Sequence, residues 1–298
     1  AMTVFSKLAA RNAPRVGRLA SNGFVASALL IGGRSFSSGR DIPEKLDVAI
    51  IGGGVSGMAT LLHLGKLGLK AAVFEKADLS SGATWHAAGL VGQLRSSRNT
   101  TRMLKKSVEM YDRLQNEDGM SFDWKKTGSL RLAANEDRLL EAKRLTTMAQ
   151  SFDLEMSMIG PSEAKELFPL IEQKKLLGAA FIPSDGHVDP ASLCQAIATV
   201  ARNQGAEIRQ GVKVVDFKKQ GRRIVEVVTT GENYKAENII LATGMWSREL
   251  GQKLGIRIPA CAVEHHYIVT ESTGLDLSNY PTLRDPERLV YYKPDVGG

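Results

Sequence analysis

The stretch from Leu46 to Glu75 constrains the fold more than any other part of the chain. Leu46-Asp47-Val48-Ala49-Ile50-Ile51 is a short apolar run of the kind that forms a buried strand. It enters Gly52-Gly53-Gly54, and an apolar helical pattern follows from Val55 to about Leu67. Ala71-Ala72-Val73-Phe74 reads as a second strand and ends on Glu75. Gly52, Gly54 and Gly57 make G-x-G-x-x-G between strand and helix, and each glycine has a physical task. Gly52 allows a tight turn, Gly54 lets the backbone approach a pyrophosphate, and Gly57 lets helix and strand pack. The helix start offers free N–H groups and a partial positive charge to phosphates. Glu75, 23 residues beyond Gly52, is placed to accept from a ribose hydroxyl. The unit predicts an α/β fold with a dinucleotide site, and by itself leaves NAD and FAD both open.

A chain of 298 residues can bury a large core and is expected to hold two domains. Its net charge of +7 hints at a nucleic-acid partner, but the distribution argues against one. Lys7, Arg11, Arg15, Arg18, Arg34 and Arg40 lie in the first 40 residues, which contain no acid, and the remainder is nearly neutral. That leader, rich in Arg and Ser, has the composition of a mitochondrial transit peptide, with a disordered basic tail as the alternative. Arg34-Ser35-Phe36-Ser37-Ser38 resembles a matrix-protease site cut after Phe36. The apolar run from Phe24 to Ile31 falls well short of the roughly 20 residues that span a bilayer, and no membrane span is expected. Cys194 and Cys261 are far apart, form no C-x-x-C, and read as plain buried thiols. No metal site is indicated.

Further along, Lys76 to Leu94 reads as a loop. It contains Ser80-Ser81-Gly82-Ala83-Thr84-Trp85-His86-Ala87-Ala88-Gly89-Leu90, and no charge lies between Leu79 and Leu94. Such a segment can lie flat against a planar ligand. Helices are expected over Arg98–Glu117, Glu136–Phe152, from Pro161, over Pro190–Gln204 and over Trp246–Leu254, with a strand at Gly128–Ala133. Asp185 to Pro190 reads as a turn, and Ala206 to Arg209 as a further parallel strand. Val212–Lys218 and Arg223–Thr229 read as a hairpin crossing over the sheet. Asn238 to Ala242 is a strand that runs into the Thr243-Gly244 turn, at the strand end where open α/β sheets bind ligands. Val263–Val269 and Leu289–Lys293 read as strands of another layer.

Four of these stretches carry a family resemblance. They are the glycine unit, the segment Gly82-Ala83-Thr84-Trp85-His86-Ala87-Ala88-Gly89-Leu90, the turn Asp185-Gly186-His187-Val188-Asp189-Pro190, and Ala242-Thr243-Gly244-Met245-Trp246 with the later Glu264-His265-His266-Tyr267. Over residues 46 to 298 the sequence resembles the dimethylglycine/sarcosine dehydrogenase family of flavoproteins, within the D-amino-acid-oxidase-like group. The Trp-His-Ala-Ala-Gly segment is the specific part. The resemblance implies an FAD-binding, Rossmann-like, doubly wound sheet with an α+β substrate domain. The implied division is a leader over 1–40, a discontinuous FAD domain over 41–95 and 190–258, and a substrate domain over 96–189 and 259–298.

The resemblance also implies site residues. His86 corresponds to the histidine bonded through an imidazole nitrogen to the 8α-methyl of FAD. Gly52, Gly54, Val55, Ser56 and Gly57 match the phosphate turn, and Glu75 and Lys76 the ribose end. Ala83, Thr84, Trp85, His86 and Leu90 match the stretch beside the ring, Val214 the position whose backbone meets the adenine, and Gly244 the turn near the pyrophosphate. His265 and Tyr291 match a catalytic pair near the substrate amine. Strand alternation admits only one of each adjacent pair to the site, so His266 and Tyr292 stand as the alternatives. His63 and His187 read as structural.

The implied reaction is oxidative N-demethylation of sarcosine or dimethylglycine in the mitochondrial matrix. Electron-transfer flavoprotein is the acceptor in a dehydrogenase, and oxygen in an oxidase. Tetrahydrofolate belongs to a C-terminal aminomethyltransferase-like region that this sequence does not include, and the chain reads as an N-terminal fragment. Alternatives are another flavoenzyme of the same fold, or a non-enzymatic relative such as the pyruvate dehydrogenase phosphatase regulatory subunit, which lacks the flavin-linking histidine. An NAD-binding dehydrogenase is disfavoured by the long insertion between Glu75 and the third sheet strand.

Overall fold

A computed structural model describes residues 45–295. The leader and its cleavage site lie outside the described residues. Strand β1 (Lys45–Ile51) pairs in parallel with β2 (Ala71–Glu75) on one side and with β11 (Tyr234–Leu241) on the other. Both faces of β1 are covered, which is why its sequence is almost continuously apolar. Val48 and Ile50 enter one core with Met58, Leu61 and Leu62 of helix α1 (Val55–Lys66) and Leu193 and Ile197 of helix α5 (Pro190–Asn203). Ala49 and Ile51 enter a second core with Phe74, Val214, Phe217 and Val227. Each fully buried Leu or Ile stabilises the fold by about 2 kcal/mol relative to exposure.

The full sheet has the order β8-β2-β1-β11-β10-β9, with β8 spanning Glu207–Gln210, β9 Val214–Gln220 and β10 Arg223–Thr229. The β9–β10 hairpin does not cross over as a separate layer. It extends the same sheet through the antiparallel pairs Glu226↔Lys235 and Val227↔Tyr234. The edge of β11 offers unpaired backbone groups there, and pairing them is cheaper than burying them unpaired.

A second sheet, ordered β13-β12-β4-β6-β5, comprises β13 (Val290–Tyr292), β12 (Thr282–Asp285), β4 (Ser129–Ala133), β6 (Gly178–Ile182) and β5 (Ser157–Ile159). Leu130, Ile159, Ala179 and Leu283 of this sheet pack with Ala164 and Phe168 around helix α4 (Pro161–Leu167). Helix α2 (Arg98–Asn116) starts on Ser97, whose hydroxyl accepts from the Thr100 N–H, and α3 (Glu136–Gln150) starts on Asn135, which accepts from Arg138. The segment expected as a plain turn at 185–190 contains β7 (Gly186–His187), which pairs with β3 (Leu90–Val91) and ties the two sheet regions together.

Two expectations are corrected here. Val263–Val269 forms no strand: from residue 256 to residue 281 there is no helix or strand, and Val263 and Ile268 are 83% and 91% exposed. Its alternation is suited to pairing, but no described strand lies alongside it. Cys261 is exposed, and only Cys194 is buried. No helix among the described residues is long and apolar enough to cross a membrane.

Candidate active site

The carboxyl ends of β1, β2 and β11 converge on the glycine turn. Gly52 donates its N–H to Phe74 O at 2.9 Å, and Ala242 donates to Ile51 O at 2.8 Å. Gly52 has φ +111°, and a Cβ there would lie 2.4 Å from Ala242 O. A Cβ on Gly57 would lie 1.9 Å from Gly52 O, and one on Gly54 would lie 3.0 Å from Thr84 Oγ1. Gly52 and Gly57 therefore reject any side chain on steric grounds, while a Cβ on Gly54 would press on the Thr84 hydroxyl. Helix α1 begins beyond Gly54 with no acid in its first turn and no cap from the Gly54 side chain position. Thr84 Oγ1 accepts from the Val55 N–H at 3.1 Å, while Ser56 is exposed at the mouth of the turn. This bare helix start, walled by backbone, fits the diphosphate of a dinucleotide.

Glu75 is buried and holds the turn as well as facing it. Its Oε2 accepts from Gly53 N at 2.6 Å and its Oε1 from Ala77 N at 2.9 Å. Each oxygen keeps a second lone pair for a ribose hydroxyl. Val214 is buried at the start of β9, two residues after Val212, whose N–H donates to Glu75 O at 2.9 Å. Beneath the turn, Cys194 Sγ lies 3.6 Å from Gly53 O, and burial pushes its thiol up to about 11, so it stays protonated.

The loop carrying His86 is pinned at several points. Ser80 donates to Gly53 O at 3.0 Å, and Ala83 follows it in a run of turns. Gly82 lies against Trp246, where a Cβ would come within 3.2 Å of the indole, and Lys76 Nζ sits 3.5 Å from the centre of that ring. Gly244, with φ +53°, starts the turn that delivers Trp246. At the other end Gly89, at φ +76°, abuts Val188 O, and Leu90 pairs with His187. Trp85 is nearly half exposed and meets the His86 ring edge-on at 4.8 Å. His86 Nδ1 lies 2.9 Å from Gly82 O. A carbonyl oxygen only accepts, so Nδ1 carries the proton and Nε2 of the neutral ring keeps its lone pair.

His265 and Tyr291 meet directly. His265 Nε2 is 2.8 Å from Tyr291 Oη, and the rings stack 5.9 Å apart at 11°. His266 instead points to Glu264 at 3.7 Å with both side chains almost fully exposed, and Tyr292 is exposed. In the β12–β13 ladder Tyr291 is opposite Arg284.

Sequence reasoning missed the polar cluster behind this pair. Asp185 is buried and accepts from Gln93 N and Gln93 Nε2, each at 3.0 Å, and from the Ser129 hydroxyl at 2.7 Å. Burial raises its carboxyl above the ordinary range, and those hydrogen bonds and Arg95 oppose the rise. Asp185 lies in a motif already noted, whereas nothing local marks Arg284. His187 is buried with neither ring nitrogen hydrogen-bonded, and lines a cavity of about 600 Å³ with Lys125, Ser192 and Lys293. Burial first, then Lys293, lowers it to about 4. His63 is exposed on α1. Among the described residues no group of three or more His, Cys, Asp or Glu could hold a metal ion.

Parallel strands ending on a glycine cradle define a dinucleotide-binding α/β fold. The chain belongs to the FAD dependent oxidoreductase family, which matches residues 47–298. It is 34% identical over 261 residues to the mitochondrial sarcosine dehydrogenase of Homo sapiens, covering 85% of this chain and 28% of that protein. It is 35% identical over 260 residues to the mitochondrial dimethylglycine dehydrogenase of Rattus norvegicus, covering 86% and 30%. Among solved structures, L-proline dehydrogenase from P. horikoshii superposes with a TM-score of 0.76 at 26% identity, over 86% of this chain and 68% of that one. The chain thus spans less than a third of the length of these two curated relatives.

Proposed function

We propose that the protein oxidatively demethylates a small N-methylated glycine, sarcosine or dimethylglycine, with FAD attached through His86. The observation that carries this reading is the 2.8 Å contact between His265 Nε2 and Tyr291 Oη. Flavin, when bound, supplies the acceptor for a hydride from the N-methyl carbon. That carbon releases hydride only when the amine nitrogen has a free lone pair, so the bound amine must shed its proton. A hydrogen-bonded imidazole and phenol can accept that proton at one atom and pass it to the other. Water then adds to the oxidised substrate, which leaves as formaldehyde and the demethylated amine.

The neighbouring residues serve the same reading. Gly52, Gly54 and Gly57 hold the diphosphate, and Glu75 with Lys76 the ribose end. Trp85 offers an apolar face to a planar ring. His86 presents an Nε2 lone pair, since its other nitrogen is tied to Gly82 O. Electron-transfer flavoprotein is the proposed acceptor and the mitochondrial matrix the proposed location. Tetrahydrofolate is part of the proposal only for a protein that carries the folate region.

The test is to express the full-length protein, denature it in acid and inspect the polypeptide. Yellow colour and flavin fluorescence on the pellet, both lost in His86→Ala, are the expected result. A colourless pellet with free FAD in the supernatant refutes the covalent link. Anaerobic bleaching by sarcosine or dimethylglycine identifies the substrate, and bleaching by neither overturns the reaction.

A further inference from the structure

We infer that Trp246 is a positioning residue for flavin attachment at His86, acting through the carbonyl of Gly82. The inference rests on the proposed link at His86 and adds the residue that orients it. Trp246 closes the turn Gly244–Trp246 just beyond β11, and its N–H donates to Thr243 O at 3.0 Å. Helix α6 (Ser247–Lys253) follows at once, so the half-buried indole is carried between a strand and a helix. The ring lies against Gly82, where a Cβ would come within 3.2 Å and 3.7 Å of two indole atoms. Lys76 Nζ sits 3.5 Å from the centre of the same ring, a cation–π contact that holds the indole in place.

The Gly82 carbonyl is the group that His86 Nδ1 meets at 2.9 Å. His86 itself is exposed, and its loop is otherwise tied by backbone alone: Trp85 N–H donates to Ser80 O at 3.0 Å and Ala87 N–H to Thr84 O at 3.3 Å. An exposed neutral imidazole left to itself rotates and samples both tautomers. Only the Nδ1–H tautomer leaves Nε2 a free lone pair. The Gly82 carbonyl selects that tautomer, and the indole keeps a permissive glycine peptide from turning over. With FAD bound, Nε2 forms the bond to the 8α carbon. That carbon gives up one proton and Nδ1 the other. Dioxygen takes the two electrons of the broken C–H bond and, with two protons, leaves as hydrogen peroxide.

The test uses the full-length protein from riboflavin-starved cells, given saturating FAD in air so that attachment can be timed. Flavin that stays on the acid-denatured polypeptide counts as attached, and the rest as released. Trp246→Ala is expected to slow attachment about tenfold, as loss of one hydrogen bond predicts, with attached plus released flavin unchanged in total. Trp246→Phe keeps a flat ring over Gly82 and should stay within about twofold of wild type. Lys76→Met, a surface change, should slow attachment about threefold. Nitrogen-15 NMR of the His86 ring before FAD is added should show Nδ1–H in wild type and Trp246→Phe, and mixed tautomers in Trp246→Ala. An unchanged attachment rate in Trp246→Ala overturns the inference. So does a parallel loss of attached and total flavin, which a merely structural role would give. Should Trp246→Ala not fold, an unslowed Lys76→Met overturns it instead. If the wild-type protein attaches no flavin, the proposed link at His86 fails, and identical tautomers in wild type and Trp246→Ala would then refute the hold of Trp246 on the ring.

Discussion

The two ends of the candidate site are built in different ways. At the nucleotide end, backbone touches backbone: Gly52 against Ala242, Gly57 against Gly52, and Glu75 clamping Gly53 and Ala77. At the substrate end, two side chains meet across 26 residues of sequence, and one of them sits in an extended, exposed segment. The first arrangement tolerates almost no change in shape. The second is the proposed seat of the chemistry and contributes little to the fold. Stability and turnover should therefore separate when residues at the two ends are altered.

The largest effect is expected at Gly57. An added Cβ would meet a carbonyl oxygen at 1.9 Å with nothing flexible to yield, so Gly57→Ala should cost about 3 kcal/mol or more. Denaturant unfolding of the two proteins measures this, and a loss below about 1 kcal/mol would show that the cradle is softer than its geometry. Next comes acid. His187 binds its proton only near pH 4 when folded, against about 6.5 when unfolded, so the unfolded chain holds more protons between those values. Stability is then full above pH 6.5 and falls by up to about 3 kcal/mol as pH drops through that window. Thermal melts of wild type and His187→Phe should diverge in slope there.

A third, smaller effect tests whether the glycines act by crowding. Gly244 also has positive φ, but a Cβ on it would meet nothing within 4 Å. Gly244→Ala should cost only about 1 kcal/mol, the left-handed penalty alone. The smallest stability change belongs to Tyr291→Phe, within about 0.5 kcal/mol, yet it should lower kcat/KM some 10- to 100-fold. A stability loss there comparable to Gly57→Ala would erase the contrast between the two ends.

That contrast also explains what could be read without coordinates. The β1–α1–β2 unit was legible because hard-sphere limits on glycine and a run of doubly buried aliphatics are local properties. β6 was missed because Gly178-Ala179-Ala180-Phe181-Ile182 has small residues and no alternation. β12 was missed because four residues after a proline carry little pattern. Val263–Val269 shows the reverse: it alternates like a strand, and no ladder forms without a neighbour. His265 and Tyr291 came from the family resemblance; alternation left His266 and Tyr292 open, and the contact between His265 and Tyr291 exists only in space.

The register of β1 has a consequence for how the chain assembles. Its partner on one side is made about 20 residues later, but Lys45 pairs with Lys235, about 190 residues downstream. The central strand must wait, half-zipped and greasy, until that distant stretch has emerged. Conditions that slow synthesis or delivery of that distant stretch should expose this protein to aggregation, whatever the strength of its finished crevice.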